Sequence, residues 1–455
     1  MQEKLSIHGS WTNRWVFILA ATGSAVGLGN IWKFPYITGE NGGGAFVLVY
    51  LLCILLVGVP IMISEVLVGR RGRMSPINSM IETAKESGLS RRWGLVGWLG
   101  ALAGFMIFSF YSVVAGWVLY YIAAMANGDF VDAGKAQVGA TFENLLADPE
   151  TMLIWHSVFV VLVMAVLVGG VNKGLERASR ILMPALFLLL LLLLGYSFTT
   201  GHFMEGVTFL FHFSPDELSW EAVLTALGHS FFTLSLGIGA MIAYGAYMPK
   251  KASIGGTVLI IAVLDTLVAL VAGMAIFPIV FANQLSAEAG PGLMFITLPV
   301  AFGQMAGGQV FGFLFFVLVG VAAWTSAISL MEPSIAWVVE RFKVHRLIAC
   351  TGLGLLGWGL GLLSIGSFNV LSDYTLLGMG VFDLLDFATA NIMLPLGGLL
   401  VSIYVGWWMK RPALENELAI RNPFWFNAWY LAIRFIAPTA VAAIFALNLY
   451  NKLAV

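Results

Sequence analysis

Long runs of apolar residues alternate with short polar segments along the whole chain. A run of about 20 apolar residues crosses the hydrocarbon core of a bilayer as a helix, whereas barrel strands alternate over about 10 residues. The pattern therefore predicts about eleven transmembrane helices. Their approximate limits are 14–36, 45–70, 94–125, 152–171, 178–199, 222–247, 254–281, 309–341, 346–366, 378–408 and 427–450.

Composition places the chain among integral membrane proteins, because 60% of its residues are hydrophobic and only 10% are charged, with a mean hydropathy of +0.91. No polar linker divides it, so residues 1–455 are predicted to form one polytopic domain. Cys53 and Cys350 lie in apolar runs, which supports neither a disulfide framework nor a thiolate metal site. Short loops without catalytic spacings or a nucleotide-binding loop argue against an enzyme or a primary pump, and we expect no nucleic-acid partner.

Lysine and arginine concentrate in the loops that follow the even-numbered spans. The positive-inside rule makes these loops cytoplasmic, so the N-terminus is predicted to lie inside and, after an odd number of spans, the C-terminus outside. The cationic residues are Arg70, Arg71, Arg73, Lys85, Arg91, Arg92, Lys173, Arg177, Arg180, Lys250, Lys251, Arg341, Lys343, Arg346, Lys410, Arg411 and Arg421. The opposite loops are acidic or neutral, with Lys135 as their main cation.

Two predicted spans contain glycines near their middle. The first carries SAVGLGNIWKFP (24–35) and the sixth carries FFTLSLGIG (231–239). Gly27 and Gly29 each lower helix propensity by about 1 kcal/mol relative to alanine, and unwound backbone at membrane depth survives only where it lines a cavity. Paired interruptions indicate two halves, 14–199 and 222–408, in a secondary transporter, with 427–450 as an additional helix. Alternatively, the glycines only allow close helix packing.

The motifs GSAVGLGNIWKFPY, ENGGGAF, FFTLSLG, FITLPVAFGQMAGG and WTSAISLMEP resemble the bacterial branch of the neurotransmitter:sodium symporter family, of the leucine-transporter type. The resemblance runs in order from Trp11 to the last span. It implies an all-α fold of five-plus-five inverted repeats with helices 1 and 6 unwound, a bacterial inner-membrane location and no organic cofactor. Much of the family has a twelfth helix, which leaves the oligomeric state open, a monomer included.

The resemblance implies a site for an amino acid. The amides of Leu28 and Gly29 and the Tyr111 hydroxyl hold its carboxylate, since half-helix N-termini favour anions. Its ammonium group meets the carbonyls of Ala25 and Phe232 and the oxygens of Thr233 and Ser235. Its side chain meets Ile107, Val114, Phe232, Ile238, Ser326 and Leu330. This lining favours a hydrophobic neutral amino acid without choosing among aliphatic and aromatic ones.

The resemblance also implies two sodium sites. The first uses Ala25, Asn30, Thr233 and Asp265 with the substrate carboxylate. The second uses the carbonyls of Gly23, Val26 and Ala322 with the hydroxyls of Thr325 and Ser326. Alternatively, these hydroxyls bond to carbonyls one turn earlier in their own helix.

Asp265 departs from the family pattern, which often has a neutral asparagine there. Chloride-dependent members add a serine four residues later, where this chain has Ala269. An intramembrane carboxylate marks a functional site by default, so we expect Asp265 to supply the charge that chloride supplies elsewhere. The alternatives are a protonated Asp265 serving as a hydrogen-bonding residue, a proton-coupled transporter of the same fold and a sensor that binds without transport.

Alternating access needs gates on both sides. By resemblance, Tyr111 and Phe232 form the outer lid, with Lys33 and Asp386 as the ion pair above it and Asp383 as the rival partner. On the inner side, His8 stands three residues before Trp11, where the family usually has arginine. It is expected to face Glu340, with Tyr247 near. Lys4 is the alternative substitute for the missing arginine. We interpret Glu65 as a brace of helix 6 and His229 as a satisfied core residue, with a proton-coupling role as the alternative.

Overall fold

The computed structural model describes residues 6–214, 216, 218–285 and 292–453, and this part of the chain is predominantly helical, without a named strand. The α-helices are α1 (Arg14–Ala25), α2 (Phe34–Glu40), α3 (Gly44–Cys53), α4 (Val59–Gly72), α5 (Pro76–Glu86), α6 (Gly94–Asn127), α7 (Lys135–Ala147), α8 (Pro149–Val168), α9 (Arg177–Ser197), α10 (Phe203–Phe211), α11 (Trp220–Thr233), α12 (Ala240–Ala246), α13 (Ile254–Ala282), α14 (Leu298–Gln304), α15 (Gly308–Phe342), α16 (Arg346–Gly366), α17 (Val381–Phe387), α18 (Leu394–Ile403), α19 (Arg411–Leu418), α20 (Pro423–Leu431) and α21 (Ala437–Leu453).

Short π-helical segments connect several of these helices into longer rods. They are Gly29–Lys33, Ile54–Gly58, Gly170–Glu176, Leu293–Thr297, Ala388–Met393, Tyr404–Trp408 and Ala432–Ile436. Such segments are frequent at functional sites, and sequence periodicity does not reveal them.

Among the described residues, eight continuous helices are long and apolar enough to cross a membrane. They are Gly44–Gly72, Arg91–Asn127, Pro149–Val168, Gly170–Thr200, Ile254–Ala282, Gly308–Phe342, Arg346–Gly366 and Val381–Trp408. The pair Arg14–Ala25 and Gly29–Glu40, bent by 53°, makes a ninth crossing if it is one span. The remaining predicted spans, 222–247 and 427–450, fall on α11 with α12 and on α20 with α21. The total of about eleven stays a prediction.

Glycines bring α4 and α12 into close contact. A Cβ on Gly69 would lie 1.9 Å from the Ile242 carbonyl oxygen, and one on Gly245 would lie 2.6 Å from that of Val66. Close helix packing therefore explains these two glycines. The long helices α6 and α15 meet in the same way, because a Cβ on Gly104 would lie 2.7 Å from the carbonyl oxygen of Leu330.

Candidate functional site

The first predicted break is present between α1 and the π-helical segment that begins at Gly29. Val26 leaves helical geometry with φ −72° and ψ 107°, and the Gly27 amide donates to Asn30 Oδ1 at 3.1 Å. A Cβ on Gly27 would lie 2.4 Å from Ser326 Oγ and 3.0 Å from the Tyr111 hydroxyl. The break therefore needs glycine at this position because two functional side chains approach the backbone there.

The second predicted break separates α11, which ends at Thr233, from α12, which begins at Ala240. Within it Ser235, Gly237 and Gly239 have φ of 53°, 79° and 75°, in the left-handed region that helices avoid. The buried Glu65 accepts a hydrogen bond from the Gly237 amide at 2.8 Å. Our interpretation of Glu65 as a brace of the unwound segment agrees with this contact.

A small cavity of about 30 Å³ lies between the two breaks, α6 and α15. Tyr111 accepts a hydrogen bond from the Leu28 amide at 3.3 Å, and Ser235 Oγ donates to the Ser24 carbonyl at 2.8 Å. One end of the cavity therefore has the Leu28 amide and the Tyr111 hydroxyl, and another has the Ser24 carbonyl and the Ser235 hydroxyl. The other walls are mostly apolar. Its lining residues are Ser24, Ala25, Gly27, Leu28, Gly29, Ile107, Tyr111, Phe232, Ser235, Ile238, Ser326, Leu330 and Leu394.

Most residues predicted to contact the substrate therefore lie around one cavity. Thr233 does not line it and faces Asp265 instead. Val114 lines a second, larger cavity that adjoins this one and is described below. Sequence reasoning missed Ser24, Gly27 and Leu394. The motif around the first break could have indicated Ser24 and Gly27, whereas nothing local to the sequence marks Leu394.

The predicted first sodium ligands include a cluster around a fully buried carboxylate. Asn30 Nδ2 donates to Asp265 Oδ1 at 2.8 Å and to the Asp265 carbonyl at 3.1 Å. Thr233 Oγ1 lies 3.2 Å from Asp265 Oδ1 and 3.1 Å from Oδ2. The fold therefore brings a carboxylate, a hydroxyl and a side-chain amide together at the first break. The amide presents its nitrogen to Asp265, while its oxygen accepts a bond from the Gly27 amide.

The predicted second sodium ligands lie where α15 crosses α1. Ser326 Oγ lies 3.4 Å from the Gly23 carbonyl oxygen, 3.2 Å from that of Ser24 and 3.1 Å from that of Val26. Thr325 Oγ1 instead bonds to Ala322 O at 3.0 Å and Val321 O at 3.2 Å within its own helix. The alternative of bonding within the helix therefore describes Thr325, whereas Ser326 reaches across to the broken helix.

A larger cavity of about 380 Å³ adjoins the small one, and Tyr111 and Phe232 line both. Lys33, Asp383 and Asp386 line it together. The Lys33 ammonium nitrogen lies 4.8 Å from the centroid of the Phe232 ring and, in the described part of the chain, forms no ion pair with either aspartate. The pairing of Lys33 with Asp386 stays a prediction, as does the rival pairing with Asp383.

The predicted inner gate is assembled around Glu340. His8 Nε2 lies 3.0 Å from Glu340 Oε1, and Glu340 also accepts bonds from Ser75 and Asn78 at 2.5–2.7 Å. Trp11 is buried, and its indole nitrogen donates a hydrogen bond to the Tyr244 carbonyl at 3.1 Å. The Tyr247 ring lies edge-on to His8 at 5.9 Å. Lys4, the predicted substitute, lies outside the described residues.

His229 is buried against the rings of Phe34 and Tyr50, whose centroids lie 6.1 Å and 5.4 Å from that of the imidazole. Neither ring nitrogen has a hydrogen-bond partner in the described part of the chain. It is therefore a core residue, but its hydrogen-bonding capacity is not satisfied there. Glu332, for which the sequence suggested no role, pairs with Arg346 and accepts a bond from Tyr247 at 2.8 Å.

Several known proteins are similar to this chain over nearly its whole length. The crystal structure of MhsT in complex with L-phenylalanine superposes with a TM-score of 0.89 and 41% identity, covering 97% of this chain and 99% of that one. An uncharacterized sodium-dependent transporter of Bacillus subtilis, YhdH, is 39% identical over 448 residues, or 97% of this chain and 98% of that protein. One from Haemophilus influenzae is 31% identical over 453 residues, with the same coverage.

These similarities confirm the leucine-transporter-type fold predicted from the sequence. Residues 8–130 and 146–454 match the sodium:neurotransmitter symporter family. The chain therefore belongs to the sodium:neurotransmitter symporter family.

Proposed function

We propose that this protein imports a hydrophobic neutral amino acid together with sodium, without chloride, by alternating access. The observation that carries the proposal is the small cavity between the two broken helices. Its opposite poles suit a carboxylate and an ammonium group, and it lies beside the buried Asp265. A zwitterion needs both poles within a few ångströms, and apolar walls then select an apolar side chain.

The apolar lining supports the substrate class. Ile107, Ile238 and Leu330 line the cavity. Among the described residues no charged side chain lines it, so a basic or acidic substrate side chain would stay unpaired. The bound L-phenylalanine of MhsT, a protein with 41% identity, supports a large apolar substrate as well. An apolar pocket distinguishes two amino acids that differ by one methylene group by only about 1–3 kcal/mol.

Two sodium ions are the proposed coupling ions. The first is held by Ala25, Asn30, Thr233 and Asp265 together with the substrate carboxylate. Bound sodium and bound amino acid therefore stabilise one another. The second is held by the carbonyls of Gly23, Val26 and Ala322 with Thr325 and Ser326. The approach of Ser326 Oγ to the Gly23 and Val26 carbonyls supports this second set.

Asp265 makes chloride unnecessary in this proposal. Two sodium ions and a zwitterion carry an excess of about two positive charges into a low-dielectric site, and an ionised Asp265 removes one of them. Its position against Asn30 and Thr233 supports this role.

The gates and the orientation complete the proposal. The inner side is held by His8 and Glu340 with Trp11 and Tyr247, and the outer side closes when Lys33 meets Asp386. We place the protein in a bacterial inner membrane with the N-terminus cytoplasmic and the C-terminus outside. Residues 14–199 and 222–408 form the two inverted halves that move against one another.

Uptake into proteoliposomes tests the proposal. The purified protein is reconstituted and offered a mixed set of radiolabelled amino acids with an inward gradient of sodium, of protons or of neither, with chloride replaced by gluconate in parallel. We expect uptake of hydrophobic amino acids with the sodium gradient only, unchanged in gluconate. Dependence on chloride would contradict the role of Asp265, and binding without uptake would indicate a sensor.

A proton-coupled transporter is the second candidate, and His229 favours it. This buried imidazole has no hydrogen-bond partner among the described residues. It lies one turn before Phe232, which lines the substrate cavity. Uptake driven by a proton gradient alone, and lost in His229→Gln, would support this candidate and contradict sodium coupling.

A further inference from the structure

The segment before α1 has a second anchor, apart from the predicted inner gate. Glu176, at the end of the π-helical segment Gly170–Glu176, accepts hydrogen bonds from the Thr12 hydroxyl at 2.6 Å and from the Thr12 amide at 3.2 Å. Asn172, in the same π-helical segment, donates through Nδ2 to the Ser10 carbonyl at 2.9 Å. These hydrogen bonds fasten the start of the first helix to the segment that leads into α9.

The backbone before α1 is shaped for this contact. Gly9 has a φ of 97°, in the left-handed region, and a Cβ there would lie 2.9 Å from Asn172 Oδ1. Glycine therefore allows the chain to pass directly against the π-helical segment. Asn172 Nδ2 also lies 3.4 Å from Glu176 Oε2, so the two side chains that hold the segment belong to one network.

Glu176 has a position of its own that does not depend on Thr12. It is 5% exposed, and Arg180, one turn later in α9, places Nη2 2.6 Å from Glu176 Oε1. The arginine compensates the charge of this carboxylate. A hydrogen bond to an ionised carboxylate is about twice as strong as one between neutral groups. Thr12, in contrast, is exposed, so its contact with Glu176 can break without opening the apolar core.

The contact joins the same two helices that meet at the predicted second sodium site. α1 begins two residues after Thr12 and, farther along α1, a Cβ on Gly23 would lie 2.9 Å from the Met183 sulfur of α9. The Gly23 carbonyl belongs to that site and faces Ser326 Oγ at 3.4 Å. Separation of the inner end of α1 from α9 would therefore uncover the site on the side where Met183 packs.

A permanent structural anchor is the alternative role of this contact. The segment before α1 also bonds to the second half of the chain, because the Trp11 amide donates to the Tyr247 carbonyl at 2.9 Å and His8 contacts Glu340. A helix that moves relative to both halves must be held by each of them through contacts that can be released. The exposed position of Thr12 suits release better than permanent anchoring.

We propose that Glu176 is a second inner latch, which holds the inner end of α1 against α9 through Thr12 until the protein opens inward. It is a positioning residue, because it belongs to none of the proposed substrate or sodium sites. It acts separately from His8, whose acceptor Glu340 lies in α15. The proposal rests on the alternating access proposed above.

Distances between two spin labels test the latch in the full-length protein, reconstituted in lipid nanodiscs with sodium. The labels are attached at Trp15→Cys in α1 and Lys85→Cys in α5, which are both exposed positions. Cys53 and Cys350 are replaced by serine. Pulsed electron paramagnetic resonance then gives the ratio of displaced to seated α1. We expect Thr12→Val, which removes the hydroxyl and keeps the size of the side chain, to raise this ratio about tenfold, as for one lost hydrogen bond to a charged group.

Variants at the acceptor separate the latch from other effects. Glu176→Ala should raise the ratio at least as much as Thr12→Val. In Glu176→Ala protein, Thr12→Val should add less than about a twofold change, because its acceptor is already gone. His8→Ala should multiply the effect of Glu176→Ala, since the two contacts are separate. The matched control is Thr141→Val, whose hydroxyl bonds to the Gln137 carbonyl at 3.0 Å within α7. It should leave the ratio unchanged.

Two results would overturn the latch. An equal effect of Thr12→Val with and without the Glu176 carboxylate would mean that the hydroxyl acts elsewhere. Variants that unfold at lower temperature but keep the wild-type ratio would show that the contact is only a structural anchor. The distances require no transport, so a displaced α1 in protein that takes up no amino acid would support the latch and contradict only the proposed function.

Discussion

Asn30 and Asp265 are joined side chain to side chain, with Asn30 Nδ2 2.8 Å from Asp265 Oδ1. The other end of the same amide, Asn30 Oδ1, accepts a bond from the Gly27 amide at 3.1 Å. One short side chain therefore connects the first helix break to the buried carboxylate of α13. Because of this connection, a cation that binds at Asp265 is expected to stabilise the shape of the substrate cavity as well.

Replacing Asp265 with asparagine removes the charge but keeps the size of the side chain. Sodium then loses an ionised ligand, and a hydrogen bond to a charged group contributes about 1.5–3 kcal/mol. We expect the apparent sodium affinity of uptake to fall about tenfold to hundredfold. Sodium titrations of uptake in chloride and in gluconate measure this. Chloride should partly rescue Asp265→Asn but leave the wild type unchanged, and full activity of the variant without chloride would contradict the proposed role.

Gly27→Ala tests whether the first break needs its glycine. A Cβ there would lie 2.4 Å from Ser326 Oγ, far inside van der Waals contact, so Ser326 or the break must move. We expect substrate binding and uptake to be lost in protein that still elutes as a monodisperse peak. Gly228→Ala is the matched control, because that glycine lies within α11 and has no atom within 4 Å of the added Cβ. The control should transport normally.

Much of the fold was predictable because it follows from short-range patterns. Apolar runs located the spans, and Gly27 and Gly237 marked where two of them break. The cavity needed long-range information. Leu394 comes to it from α18 through packing against the second break, where a Cβ on Gly237 would lie 2.4 Å from the Leu394 carbonyl. Similarly, the sequence left open whether the hydroxyls of α15 bond within their own helix or face the broken helix. The crossing of α15 over α1 decides this, because Thr325 bonds to Ala322 in α15 whereas Ser326 faces the Val26 carbonyl.

Ser326→Ala should weaken sodium coupling because it removes the hydroxyl that faces the Gly23, Ser24 and Val26 carbonyls. Loss of one oxygen ligand of a buried cation should cost about 1–3 kcal/mol, or about tenfold to hundredfold in apparent sodium affinity. Sodium dependence of uptake at saturating substrate gives the value. Ser329→Ala is the control on the same helix, since in the described part of the chain its hydroxyl bonds only to the Ser326 carbonyl one turn earlier. An equal shift in both variants would assign the effect to α15 packing.

His8→Arg tests the inner gate. The imidazole of His8 lies 3.0 Å from Glu340 Oε1, at the position where relatives of this type carry arginine. A guanidinium group is always charged and can bind a carboxylate through two nitrogens, whereas the imidazole of His8 contacts Glu340 through one nitrogen. We therefore expect His8→Arg to hold the inner side closed more firmly than the wild type.

The measurement is the labelling rate of a single cysteine placed on the inner pathway, in a background without Cys53 and Cys350, by a membrane-impermeant maleimide. The thiol's own reactivity is corrected with an exposed reference cysteine. We expect the labelling rate to rise from His8→Arg through the wild type to His8→Ala, because the contact with Glu340 weakens in that order. Equal rates in the wild type and His8→Ala would show that His8 does not latch the gate.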